Sequence, residues 1–78
     1  MKKDRNIVIG LEVIINQRNL TYKEVADAIK VHNTVISDWV YNRRKIPKMR
    51  VLQLAQLFEV PPSSIIAKYK VTYERIID

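Results

Sequence analysis

Two short amphipathic segments joined by a tight turn, with a basic cluster directly behind them, occupy residues 20–47, LTYKEVADAIKVHNTVISDWVYNRRKIP. Thr21 opens the first segment with Glu24 three residues on. This is the capping-box pattern, in which each side chain satisfies an orphan backbone N–H of the other. Val25, Ala26 and Ile29 recur at helical spacing and form an inner face. Lys30 and Val31 make the turn. A second helix follows over about residues 33–41, with Ile36 and Trp39 inward and Val40 beside them. Asn33, Thr34, Ser37 and Asp38 then point outward.

The flanking sequence extends the helical reading, since one glycine and three prolines are few breakers for 78 residues. A first helix is expected from about residue 4 or 5 to residue 18. Ile7, Leu11 and Ile14 are its apolar stripe, widened by Val8, Ile15 and Arg18. Asn19 suits its end, because asparagine tolerates the left-handed conformation found there. Pro47 closes the basic loop and starts a fourth helix over about residues 48–58, with Val51, Leu54, Ala55 and Phe58 as core face. Val60-Pro61-Pro62 stops that helix, and Pro62 suits the first position of a fifth. Residues 70–78 fit two conformations. Val71, Thr72, Tyr73, Ile76 and Ile77 favour a strand, whereas Ile66, Tyr69, Tyr73 and Ile76 also make a helical stripe. An extended segment is the preferred reading.

Composition narrows the function classes. Fourteen Lys and Arg against 8 Asp and Glu leave a formal net charge of +6. Distribution says more than the total: Arg43, Arg44, Lys45, Lys48 and Arg50 fall within eight residues that contain no acid. Without cysteine there is no disulfide framework and no thiolate metal site. The one histidine lacks partners at ligand spacing, so neither metal nor cofactor is expected. No apolar run approaches the roughly 20 residues of a membrane span. The start MKKDRNIVIGLEVII is broken by Glu12 and lacks a small-residue cleavage site, so it reads as a helix rather than a signal peptide. No acid pair, nucleophile–base set or glycine-rich phosphate loop points to an enzyme. These absences suit a protein of the bacterial or phage cytoplasm.

The pattern from Leu20 onward closely resembles the Cro and phage-repressor type of helix-turn-helix domain. Leu20-Thr21, Glu24-Val25-Ala26, Ile29, Val31, Ile36-Ser37 and Trp39 fall in register with that family without a gap. Arg43-Arg44-Lys45-Ile46-Pro47 and the stretch Leu54-Ala55-Gln56-Leu57-Phe58-Glu59-Val60 also fit, and the likeness covers roughly residues 7–67. The resemblance implies an all-α, compact five-helix lambda-repressor-like domain over residues 1–69. Residues 70–78 would form a short C-terminal strand or helix extension. Departures are Lys30 at the usual turn glycine, Val40 and Asn42 at a common glutamate and glycine, and His32 where serine or threonine often caps.

What the resemblance implies for function is double-stranded DNA binding through the second helix of the motif. Asn33 and Thr34 stand where the family places base-reading residues. Asparagine can pair with adenine N6 and N7, and a threonine methyl can touch the thymine methyl. Asn33 could instead be a helix cap. Ser37, one turn on, could reach a base or a phosphate. Asp38 could accept from cytosine N4 or form a surface salt bridge. Trp39 reads as a core aromatic. Thr21, Tyr22, His32, Arg43, Arg44 and Lys45 are the phosphate-binding candidates, with Lys48 and Arg50 behind them. Imidazole is a poorer cap than serine, so His32 is expected beside a phosphate, binding more tightly when protonated.

A single recognition helix reads few base pairs, so a homodimer on a palindromic site is expected. Ile65, Ile66, Tyr69, Tyr73 and Ile76 are the candidate dimer surface, with Ile9 and Val13 of the first helix as a second patch. The leading function is a sequence-specific transcriptional repressor of the bacterial nucleoid, open to control by a regulatory protein partner. The alternatives are an antitoxin-like or adaptor protein-interaction module and a mobile-element accessory factor.

Overall fold

The computed structural model describes residues 7–70. The chain runs β1 (Ile7–Ile9), α1 (Gly10–Gln17), α2 (Tyr22–Ile29), α3 (Asn33–Val40), α4 (Lys48–Phe58), α5 (Pro62–Ile66) and β2 (Lys68–Lys70). Five helices surround one apolar core, in which Leu11, Ile15, Val25, Ile36, Leu54 and Ile65 are fully enclosed. All five expected helices are present, and the first begins later than the periodicity suggests.

The difference lies at Ile7–Ile9. These residues continue the helical stripe on paper, yet they form a strand antiparallel to Lys68–Lys70, pairing Ile7 with Lys70, Val8 with Tyr69 and Ile9 with Lys68. Three β-branched residues in a row favour the pleated conformation once a partner strand is available. Side chains then alternate: Val8 is buried, Ile7 is exposed and Ile9 is half-buried against the core. The proposed helical start near residue 4 or 5 lies outside the described residues. The pairing of β2 agrees with the extended reading at Lys70, and residues 71–78 lie outside the described residues.

Gly10 makes the change from strand to helix possible. Its N–H donates to the Ala67 carbonyl at 2.8 Å, drawing the start of α1 against the end of α5. A Cβ placed there would stand 1.7 Å from the Ser64 carbonyl oxygen. At the other end, Asn19 takes positive φ (53°) beyond α1, as its residue type suggested. Arg18 reaches across to the last turn of α4, donating to the Phe58 carbonyl at 2.8 Å with its guanidinium over the Phe58 ring. A cation at that end satisfies an orphan carbonyl and complements the helix dipole.

The helix pair of the motif forms as its local signals require. The Thr21 N–H donates to Glu24 Oε1 at 2.8 Å, and the Glu24 N–H donates to Thr21 Oγ1 at 3.0 Å, completing the capping box. Lys30 ends α2 in the left-handed region at φ 60°, and the Val31 N–H returns to the Ala26 carbonyl. Arg50 of α4 braces the same helix end, donating to the Ile29 carbonyl at 3.2 Å and to Gln53 at 2.7 Å. Arg50, a reserve candidate for phosphate, is thus engaged within the fold in the free protein.

Candidate nucleic-acid interface

The outer face of α3 is set by its inner one. Ile36, Trp39 and Val40 are buried, which turns Asn33 and Thr34 outward on the first turn and leaves Ser37 and Asp38 half-buried on the next. The cap of α3 is His32, whose Nδ1 accepts from the Thr34 N–H at 3.2 Å and contacts the Thr34 hydroxyl. Imidazole, the poorer cap, is thus the one used here, and of the two readings of Asn33 the helix cap is not the one formed. An accepting Nδ1 places the ring proton on Nε2. A neutral His32 therefore already carries a donor, and protonation at Nδ1 would abolish the cap bond rather than simply add a charge.

Asn33 has no partner for its side-chain amide among the described residues, and it is exposed. Thr34 has its hydroxyl engaged by His32, leaving its methyl as its free feature. The Ser37 hydroxyl donates to the Thr34 carbonyl at 3.2 Å, one turn back along α3. Asp38 faces two arginines: Arg43 Nε at 3.0 Å and Arg44 Nε at 3.8 Å. Of the two roles open to Asp38, the salt bridge is the one formed in the free protein.

That cluster is a product of backbone geometry. Asn42, in place of the family's common glycine, takes φ 62° and reverses the chain directly after α3. The Arg43 and Arg44 N–H groups consequently both donate to the Asp38 carbonyl, at 2.8 and 3.2 Å. Their side chains come back toward the Asp38 carboxylate, and the Arg43 guanidinium also lies over the Tyr41 ring, 5.3 Å from its centroid. Arg43 further approaches Ser37 Oγ at 3.4 Å. Sequence reasoning placed Arg43 in a phosphate grip and did not foresee its position beside the reading face. An arginine five residues after an aspartate, across an asparagine turn, was the available signal.

The remaining candidates divide in the same way. Lys45 and Lys48 are exposed beyond the cluster. Thr21 is exposed at the start of α2 with its hydroxyl committed to the capping box, and Tyr22 is half-buried against the core. Trp39 is 3% exposed, the core aromatic expected. Among the proposed dimer residues Ile66 and Tyr69 are exposed, whereas Ile65 is 0% exposed. Ile65 is thus a core residue of the single chain and is removed from that surface. Tyr73 and Ile76 lie outside the described residues. Of the second patch, Ile9 packs against the core and Val13 is half-buried.

Comparison with protein families matches residues 11–65 to the helix-turn-helix family. The chain belongs to the Cro and phage-repressor type of that family. No curated protein and no solved structure matches the chain. The family match runs from Leu11 to Ile65, so both β1 and β2 lie outside it. Members of this family are DNA-binding regulators rather than catalysts, and this helix-turn-helix protein is a DNA-binding regulator of the Cro kind. Among the described residues no group of His, Cys, Asp and Glu could hold a metal ion. No helix among them is long and apolar enough to cross a membrane.

Proposed function

We propose that this protein is a transcriptional repressor that binds a palindromic operator as a homodimer, with α3 in the major groove of double-stranded DNA. The observation that carries this reading is the free amide of Asn33 on the exposed first turn of α3, with the basic run Arg43-Arg44-Lys45 following the other end of that helix. Asn33 pairs with adenine, and the Thr34 methyl lies against thymine. His32 Nε2 donates to a phosphate at the helix start, where Thr21 and Tyr22 approach the same backbone from α2. Arg44 and Lys45 hold phosphates on the other side. A bound dimer covers promoter DNA in the bacterial nucleoid, and repression is steric.

The dimer element in this proposal is Tyr69 with Tyr73 and Ile76 of the tail. Selection of bound sequences from a random duplex library tests the whole reading. The expected product is two short half-sites related by two-fold symmetry, each containing an A·T pair that loses its enrichment with Asn33→Ala. That substitution should cost roughly 1–3 kcal/mol at the selected pair alone. Recovery of unrelated sequences, with affinity insensitive to salt, would exclude sequence-specific repression.

A further inference from the structure

A groove of about 800 Å³ opens between the α3–α4 loop, α4, α5 and the paired strands, and Asn33 is not part of its lining. Its apolar lining includes Trp39, Ile46, Val51, Leu52, Pro62 and Ile66. Leu52 and Ile66 are 49% and 51% exposed, so the domain's own core does not use them fully. Arg44, Lys45, Lys48 and Lys68 also line the groove, and no carboxylate does. The indole Nε1–H of Trp39 is buried without a partner, the single such side-chain atom among the described residues. That nitrogen has essentially no accessible surface, so its cost falls within the core and it offers no contact to a docked segment.

We propose that this groove binds an acidic amphipathic peptide segment of a partner protein, which thereby displaces DNA. An apolar floor with cations along its edges is the complement of a helix bearing hydrophobic residues on one face and Asp or Glu beside them. A second copy of the chain fits worse. A two-fold interface would set the same patch against itself, so that a lining with four cations and no carboxylate faces an identical one. The cations come from three separate elements, the α3–α4 loop, α4 and β2, which matches spaced acidic side chains better than one compact anion. Arg44 and Lys45 belong both to this rim and to the phosphate grip, so seating an acidic segment withdraws them from DNA. This last step rests on the DNA-contact reading above; the binding step does not.

Trp39 is the sole tryptophan, so its fluorescence reports on the groove directly. The full chain is titrated with a synthetic amphipathic peptide carrying leucine on one face and glutamate on the other, and with its lysine counterpart. The acidic peptide should shift the emission saturably and the lysine peptide should not. Leu52→Asn, a change at an exposed position that adds no charge, should weaken peptide binding at least tenfold while leaving the far-ultraviolet circular dichroism and duplex affinity unchanged. In competition, the acidic peptide should release a bound duplex from the native chain and far less from Leu52→Asn. Equal binding of the lysine peptide, no saturable shift, or simultaneous occupancy by duplex and peptide would overturn the proposal. So would a loss of self-association by Leu52→Asn in sedimentation, which would assign the groove to a second copy. Failure to bind any duplex, with the peptide still bound, would count against the DNA reading and the displacement step while the groove's ligand stands.

Discussion

At the scale of single residues, Gly10 is where the least change should do most harm. Its position against the Ser64 carbonyl leaves no room for a methyl group, and the obstacle is backbone rather than a flexible side chain. Gly10→Ala should therefore cost about 2 kcal/mol or more, as overpacking does in a core, despite the better helix propensity of alanine. Urea unfolding checks this, and an unchanged midpoint would show that α5 can withdraw freely. Lys30 is the opposite case. It holds φ 60°, where a side chain costs roughly 1–2 kcal/mol and glycine costs little. Lys30→Gly should raise the unfolding free energy by up to about 1 kcal/mol, partly offset by the extra freedom glycine gives the unfolded chain. A destabilised variant would mean that the lysine side chain contributes contacts of its own. This position was legible in the sequence, because it stands where the family's turn glycine does.

At the scale of the element, α3 and the turn after it act as one unit. Its rotation was legible from Ile36 and Trp39, and so was the exposure of Asn33. The pairing of Asp38 was not. The residue types allowed both a base contact and a salt bridge, and the choice was made by the chain reversal at Asn42, which returns both arginines to Asp38. Asp38 thus restrains the cations it neighbours and opposes approach to phosphate. Asp38→Asn should increase affinity for duplexes of any sequence several-fold and steepen the fall of log K with log salt, because freed arginines displace more counterions. Filter binding or anisotropy across a salt series measures both. Loss of affinity confined to sites with a particular C·G pair would instead establish Asp38 as a base reader.

At the scale of the whole molecule, the strand pair fixes where the domain ends. β2 pairs with β1, and the Ala67 carbonyl accepts from the Gly10 N–H, so a cut after Ala67 would remove part of the fold. Truncation after Lys70 instead removes Tyr73 and Ile76 alone among the proposed dimer residues. It should leave the thermal midpoint nearly unchanged, halve the sedimentation mass and weaken operator binding; an unchanged mass would place the dimer contact elsewhere. By itself, the sequence determined the five helices, the capping box, the left-handed residue Asn19 and the inward faces of α2, α3 and α4, because these follow from residue type and from neighbours three or four positions apart. Only the tertiary structure decided that Ile7, Val8 and Ile9 leave the helical stripe for a strand, since their partners Lys68–Lys70 are remote in the chain. It also decided that Ile65 belongs to the core and Ile66 to an open groove, because burial depends on what the folded chain places opposite each side chain.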